Sequence, residues 1–251
     1  MVLKRIKELM KIFLKNYVAK NATICLACSS GAAHWIFPNK YVESGKVIII
    51  PNGVDTKKFS YSETKRRIFR TEINIKEELV IGNIGRFQGQ KNHTFMISIM
   101  EEVVKSMPNT KLLLVGDGER KGLIEKLVKE NNLVNNVFFL GERSDMDYFL
   151  SAIDVFILPS LYEGLPIAAV EAQTSGAKVL LSNTITKETN IGGNAIFLPI
   201  IGEDASSIWK NEIICENKDN RKVCCERVYK AGFDVRVCYQ KMIDLYNRGK
   251  S

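Results

Sequence analysis

Arg86, Lys91, Glu163 and Glu171 are the side chains best suited to chemistry, because each stands where a strand-like run gives way to a helix-like one. Arg86 and Lys91 belong to Gly82-Asn83-Ile84-Gly85-Arg86-Phe87 and to Gly89-Gln90-Lys91-Asn92-His93, which opens a helix. Glycines such as Gly85 let a backbone approach a ligand, and a helix N-terminus flanked by two cations suits a phosphate. A solvated loop with two surface cations fits the same residues. Glu163 lies in Pro159-Ser160-Leu161-Tyr162-Glu163-Gly164-Leu165-Pro166, where Pro166 suits the first helical position. The backbone through Gly164, Leu165, Pro166 and Ile167 then sits at the positive end of a helix that carries Glu171. Carboxylates on either side of that opening can accept hydrogen bonds from sugar hydroxyls. Taken singly, each glutamate also fits a surface or capping role.

Other motifs carry less. Gly116-Asp117-Gly118-Glu119-Arg120-Lys121-Gly122 approaches the dinucleotide fingerprint, but its third glycine falls one place late, so a tight strand-to-helix turn explains it as well. Ser144-Asp145-Met146-Asp147 contains a D-x-D, whose paired carboxylates raise the question of a divalent metal. Two carboxylates without further oxygen ligands make a poor metal site, and their place before Tyr148, Phe149 and Leu150 suits helix capping. Cys25 and Cys28 have redox or zinc spacing without a second pair nearby, and Cys215, Cys224, Cys225, Cys238, His34 and His93 form no recognised ligand set. Neither metal nor cofactor is expected. A nucleophile elbow and a Walker P-loop are both missing from the sequence.

The elements that must position these residues follow a regular order. Apolar runs at Leu79 to Ile84, Lys111 to Val115, Val137 to Leu140, Val155 to Leu158 and Lys178 to Leu181 alternate with helix-period segments. That alternation predicts an α/β fold, a Rossmann-like parallel sheet with helices on both faces, whose ligands bind beyond the carboxyl ends of the strands. Phe95, Met96, Ile99, Met100, Val103 and Val104 mark one crossover helix, which Pro108 ends, and Leu123, Ile124, Leu127 and Val128 mark the next. Ala195 to Pro199 suits a sixth strand and Asp234 to Asn247 a closing helix. Earlier in the chain, Thr23 to Ser29 reads as a strand, Ser30 to Phe37 as a short helix, and Lys46 to Ile50 as an apolar run stopped by Pro51-Asn52-Gly53. The polar stretch from Asp55 to Lys76 reads as a linker.

Composition narrows the class. A hydrophobic share of 45% with 25% charged residues excludes a disordered or collagen-like chain. No apolar run approaches the roughly 18 residues of a membrane span. Six cysteines without a secretory signal sequence read as cytosolic thiols. The net charge of +8 sits largely in residues 1–20, where Lys4, Arg5, Lys7, Lys11, Lys15 and Lys20 face only Glu8. With the remainder nearly balanced, no nucleic-acid surface is expected. Val2, Leu3, Ile6, Leu9, Met10, Phe13, Leu14, Tyr17 and Val18 repeat at helical spacing among those bases. Such a helix either adheres to anionic lipid or packs its apolar face on the protein.

Taken together, Val47-Ile48-Ile49-Ile50-Pro51-Asn52-Gly53-Val54-Asp55, Gly85-Arg86-Phe87, Gln90-Lys91-Asn92-His93, Gly116-Asp117-Gly118 and Glu163-Gly164-Leu165-Pro166 through Glu171-Ala172 resemble the family 4 glycosyltransferases. The bacterial enzymes of capsular and exopolysaccharide synthesis are the most similar, with Leu181 to Glu188 also familiar. The resemblance implies a GT-B architecture: two Rossmann-like lobes across a cleft, the C-terminal one binding a nucleotide sugar. It implies that Arg86 and Lys91 hold the donor diphosphate, Glu171 the ribose, and Glu163 the transferred sugar. Backbone following Gly141, near Arg143, would receive the base. It further implies transfer with retention and without a required metal.

Two lobes of ~150 residues each need ~300, so the resemblance assigns residues 1–45 to a remnant of an N-terminal acceptor lobe. Residues 46–76 would form an interlobe linker, 77–232 the nucleotide-sugar lobe and 233–251 a C-terminal helix. The leading expectation is hexosyl transfer from a nucleotide diphosphate sugar, with uridine as the favoured base, to a polysaccharide or lipid-linked saccharide. That activity belongs in the cytoplasm or at the inner face of the cell membrane. Two alternatives stand beside it: a donor-binding half inactive without a separate acceptor lobe, with a homodimer or an acceptor-lobe partner implied, and an NAD-dependent sugar-nucleotide enzyme.

Overall fold

The computed structural model describes residues 2–215 and 221–248, the side chains of 2–9 and 11 excepted. Contacts divide the chain into two units, Met1–Gly53 with Gly232–Ser251, and Val54–Ala231. The first contains α1 (Val2–Asn21), β1 (Cys25–Ala27), α2 (Ser30–Ile36), α3 (Asn39–Glu43) and β2 (Val47–Ile49). The second contains α4 (Thr56–Phe59), α5 (Glu63–Glu72), β3 (Val80–Ile84), α6 (His93–Ser106), β4 (Lys111–Val115), α7 (Lys121–Glu130), β5 (Val137–Gly141), α8 (Met146–Ala152), β6 (Val155–Leu158), α9 (Ile167–Thr174), β7 (Lys178–Ser182), β8 (Ala195–Leu198), α10 (Ala205–Ile214) and α11 (Arg221–Lys230). The last helix, α12 (Val235–Arg248), returns to the first unit.

In the second unit six strands run parallel in the order β5-β4-β3-β6-β7-β8. The sheet grows outward in both directions from the β3–β6 pair, and a topological switch point of that kind opens a crevice beyond the strand ends. Alternation with period two sorts the side chains. Ile81, Leu112, Leu114, Val155, Ile157 and Leu180 face one way, into a core with Met96, Ile99, Met100 and Val103 of α6, Ile124 of α7 and Trp209 of α10. Gly82 faces the other way, where an added Cβ would lie 2.7 Å from Ile153 and 2.8 Å from Phe149. The α/β class with helices on both faces is therefore as the sequence predicts, and each run named there forms its strand within about two residues at either end.

The stretch from Asp55 to Lys76 departs from the linker reading, since it carries α4 and α5 and belongs to the second unit. The docking of α5 is ionic, which conceals it from a hydrophobic period. Arg66 Nη2 and Arg70 Nη2 each reach Asp154 at 2.7 Å, Arg70 also donates to the carbonyls of Ala152, Lys76 and Glu78, and Val80 N donates to Asp154 Oδ2 at 2.8 Å. One carboxylate thus fastens a helix to the entry of two central strands.

The first unit holds a two-stranded parallel sheet and a small core of Ala19, Cys25, Ala27, Ala33, Phe37 and Val47. Gly53 lets α12 close on this unit, because a Cβ there would meet Val235 Cα at 2.6 Å. Along α1, Ala19 is the one buried side chain among those described, while Met10, Phe13, Leu14, Tyr17 and Val18 are exposed. The packing alternative for that helix does not hold at these positions. Val2, Leu3, Ile6, Leu9 and Lys11 of the same pattern have side chains outside the described residues. No described helix is long and apolar enough to cross a membrane.

Candidate nucleotide-sugar site

The loops that leave β3 and β6, the two strands at the switch point, are stitched to each other. Leu161 N donates to Gln90 O at 2.8 Å, Gln90 Nε2 to Tyr162 O at 2.9 Å, and Asn92 Nδ2 to Pro159 O at 3.2 Å. Asn92 holds a left-handed conformation (φ 55°) between the 3-10 turn Gly89–Lys91 and α6, a geometry that asparagine tolerates better than most residues. Across this seam Lys91 Nζ meets Glu163 Oε1 at 2.6 Å, and Ser160 Oγ donates to the same oxygen at 2.8 Å. Ser160 is fixed in turn, its carbonyl accepting from Ser182 Oγ at 2.6 Å and Thr184 Oγ1 at 3.0 Å.

Beside Glu163, α9 begins after Pro166, which caps it one position ahead of its expected place and gives no side-chain hydrogen bond to the helix end. The first amides of the helix have no intrahelical acceptor and point out of its positive end, next to Gly164, Leu165 and Ile167. Glu171, five residues into α9, is half-buried and makes no ion pair among the described residues. Burial pushes its carboxyl up to about 7, with Lys58 of α4 pulling the other way. Arg86 is exposed at the rim.

Two glycines of the 116–118 turn are required by the neighbouring loop. Gly116 has φ +131°, and a Cβ there would lie 2.3 Å from Gly85 O; a Cβ on Gly118 would lie 2.7 Å from Phe87 O. Phe87 N donates to Asp117 O and Arg120 N to Phe87 O, both at 3.0 Å. The near-fingerprint therefore packs one strand-end loop on the next, which accounts for its glycines without a dinucleotide. His93 stacks on Phe87 at 4.3 Å and is held down to about 4, by burial first and then by Lys91 and Arg120, so it is neutral near pH 7.

The structure gathers Gly85, Lys91, Glu163 and the Gly164–Ile167 backbone at one seam, with Glu171 one turn further along α9. Arg143 is engaged elsewhere: its guanidinium contacts both oxygens of Asp145 at 2.9 and 2.7 Å and Glu72 at 2.9 Å, and lies 4.8 Å over the Phe69 ring. The capping role expected of the D-x-D is not realised, because Asp145 turns back to Arg143 and Asp147 pairs with Lys65 at 2.7 Å. Among the described residues no cluster of three or more His, Cys, Asp or Glu could hold a metal ion. Ser160, Gln90, Asn92 and Lys58 were not singled out by sequence; the one local signal is a hydroxyl three positions before Glu163.

The larger unit is a parallel doubly wound sheet with amides, cations and an unpartnered carboxylate at its switch point, where ligands of such sheets bind. Residues 65–198 match the family described as glycosyl transferases group 1, and the chain belongs to that family. Over 244 residues it is 29% identical to the "Putative glycosyltransferase EpsF" of Bacillus subtilis (strain 168), spanning 96% of this chain and 63% of that protein. It is 32% identical over 175 residues to a UDP-Gal:alpha-D-GlcNAc-diphosphoundecaprenol alpha-1,3-galactosyltransferase of Escherichia coli, spanning 68% of this chain and 45% of that enzyme. Among solved structures, Anabaena Alr3699/HepE in complex with UDP superimposes with a TM-score of 0.78 at 19% identity, over 93% of this chain and 66% of that one. The larger unit has the fold of the C-terminal lobe of a GT-B glycosyltransferase, with a small two-stranded sheet in the N-terminal segment. The chain thus spans under two thirds of the length of these relatives.

Proposed function

We propose that the protein binds a nucleotide diphosphate sugar, with uridine as base, at the β3–β6 switch point and transfers its hexosyl unit, with retention, to a saccharide or lipid-linked saccharide. The observation that carries this is the convergence of Lys91, Glu163, the open N-terminus of α9 and the unpartnered, half-buried Glu171. Two of the relatives, a UDP-Gal:alpha-D-GlcNAc-diphosphoundecaprenol alpha-1,3-galactosyltransferase and a chain in complex with UDP, support the choice of donor. In this reading Arg86, Lys91 and the helix amides take the diphosphate, Glu171 the ribose hydroxyls, and the free Oε2 of Glu163 a sugar hydroxyl. Backbone beyond Gly141 takes the base. As the glycosidic bond breaks, its electron pair leaves with the diphosphate oxygen, where the cations and amides stabilise it. The acceptor oxygen forms the new bond on the same face and passes its proton to the departing diphosphate oxygen.

Calorimetry with UDP, GDP, ADP and NAD tests the donor assignment. UDP is expected to bind most tightly, and Lys91→Ala to weaken it by about 1.5 to 3 kcal/mol, the scale of a charge-assisted hydrogen bond. Unchanged affinity in both Arg86→Ala and Lys91→Ala would remove these residues from the site.

The exposed Met10, Phe13, Leu14, Tyr17 and Val18 of α1, with six bases against one acid in residues 1–20, support adhesion to anionic lipid. Sedimentation with anionic vesicles at low salt should exceed that with neutral ones and fall at physiological salt; equal pelleting throughout rejects the electrostatic role.

A further inference from the structure

The cation assigned to the diphosphate already has a protein counter-ion. Lys91 and Glu163 meet at 2.6 Å with side chains only 20% and 11% exposed, where an ion pair is screened far less than on the surface. Arg86, five positions earlier, is exposed and makes no ion pair among the described residues. The Lys91 stem lies over Gly85, where an added Cβ would be 3.2 Å from Cδ, so the glycine leaves room for the lysine side chain. An anion that takes Lys91 therefore competes with Glu163 for the ammonium.

Losing its cation would leave a nearly buried carboxylate uncompensated, a costly outcome unless another donor remains. Ser160 supplies that donor at 2.8 Å, and its own position is set by Ser182 and Thr184. A hydroxyl is neutral, so it keeps the carboxylate in place without competing for the phosphate.

We propose that Glu163 is the resident counter-ion of Lys91, that an incoming diphosphate displaces it, and that Ser160 is the positioning residue that retains the displaced carboxylate beside α9. The exchange rests on the donor reading of this same site and deepens it. Once a diphosphate has drawn Lys91 away, Oε1 of Glu163 is also released from its cation and can join Oε2 in accepting from sugar hydroxyls, which couples recognition of the two ends of the donor. Reversal of the exchange helps expel the nucleoside diphosphate product.

The test is calorimetric titration of the 251-residue chain with inorganic pyrophosphate and, separately, with UDP. Glu163→Gln should bind pyrophosphate about five- to tenfold more tightly, because Lys91 is freed at no cost. Ser160→Ala should bind it about three- to fivefold more weakly, and that loss should vanish in the Glu163→Gln background, since Ser160 acts through the carboxylate. A purely structural serine would cost the same in both backgrounds. Equal or weaker binding by Glu163→Gln, an identical Ser160→Ala loss in both backgrounds, or no pyrophosphate binding by any of the proteins overturns the exchange. If the pyrophosphate pattern appears while UDP does not bind, the exchange stands and the donor reading falls. UDP binding that is indifferent to these substitutions has the opposite meaning.

Discussion

At the scale of single residues, Glu171 is the group whose charge is most finely balanced. Its carboxyl titrates near 7 because burial penalises the ionised form, while Lys58 only partly offsets that penalty. The sign of the consequence follows from linkage. Between the ordinary carboxylate value of about 4.5 and 7 the folded chain holds a proton that the unfolded chain has released, so this group's contribution to stability declines as pH rises through that window. Glu171→Gln removes the penalty of the buried charge and should raise the melting temperature more at pH 8 than at pH 5. Binding runs the other way: an ionised Glu171 accepts two hydroxyl hydrogen bonds, so UDP affinity should rise by about three- to tenfold from pH 6 to pH 8. Comparing wild type with Glu171→Gln separates this from titration of the phosphate itself, and an identical pH profile in both would dismiss the ribose role. Arg86, Lys91, Glu163 and Glu171 can be proposed from sequence because cations, glycines and carboxylates stand together where apolar runs give way to helix-like ones. Ser160, Gln90 and Lys58 are not, because their importance lies in partners brought close only by folding; Gln90 and its Tyr162 acceptor, for example, are 72 positions apart.

At the scale of elements, apolar period locates what hydrophobic burial builds and passes over what charge builds. The strands and α6 are clear because Met96, Ile99, Met100 and Val103 face a continuous core. Helix α5 is hidden because it is tied down largely by Arg66 and Arg70 on Asp154, with Phe69 its one fully buried apolar side chain. The same difference predicts its failure mode. Asp154→Ala removes the shared partner of two guanidinium groups, one of them on a buried arginine, and leaves the Val80 amide without its acceptor. Breaking such a buried network costs on the order of 3 to 5 kcal/mol. Urea unfolding followed by circular dichroism should find a loss of that size, and a change under about 1 kcal/mol would mean that α5 is held by its apolar contacts instead.

At the scale of the whole molecule, the proposed ligand site and the larger core lie in one unit, and the chain's two tryptophans report on different units. Trp209 is fully buried among the larger unit's core residues, donating to Pro199 O at 2.7 Å and meeting Phe95 edge-on, whereas Trp35 in the first unit is 75% exposed. Unfolding the larger unit moves Trp209 from an apolar cage into water and red-shifts its emission, while Trp35 begins in water and changes little. Tryptophan emission therefore follows the site-bearing unit, and far-ultraviolet circular dichroism follows both. A ligand present at 100 times its dissociation constant stabilises its own folded unit by about 2.7 kcal/mol. For a unit of this size that corresponds to an upward shift of roughly 5 to 10 °C in the emission midpoint. UDP should produce that shift, Lys91→Ala should reduce it, and NAD at the same concentration should leave the midpoint where it was, because the 116–118 glycines are taken up by contact with Gly85 and Phe87. An equal shift with NAD and UDP would return the dinucleotide reading to contention. A shift in the dichroism transition without one in Trp209 emission would move the nucleotide out of the β3–β6 crevice.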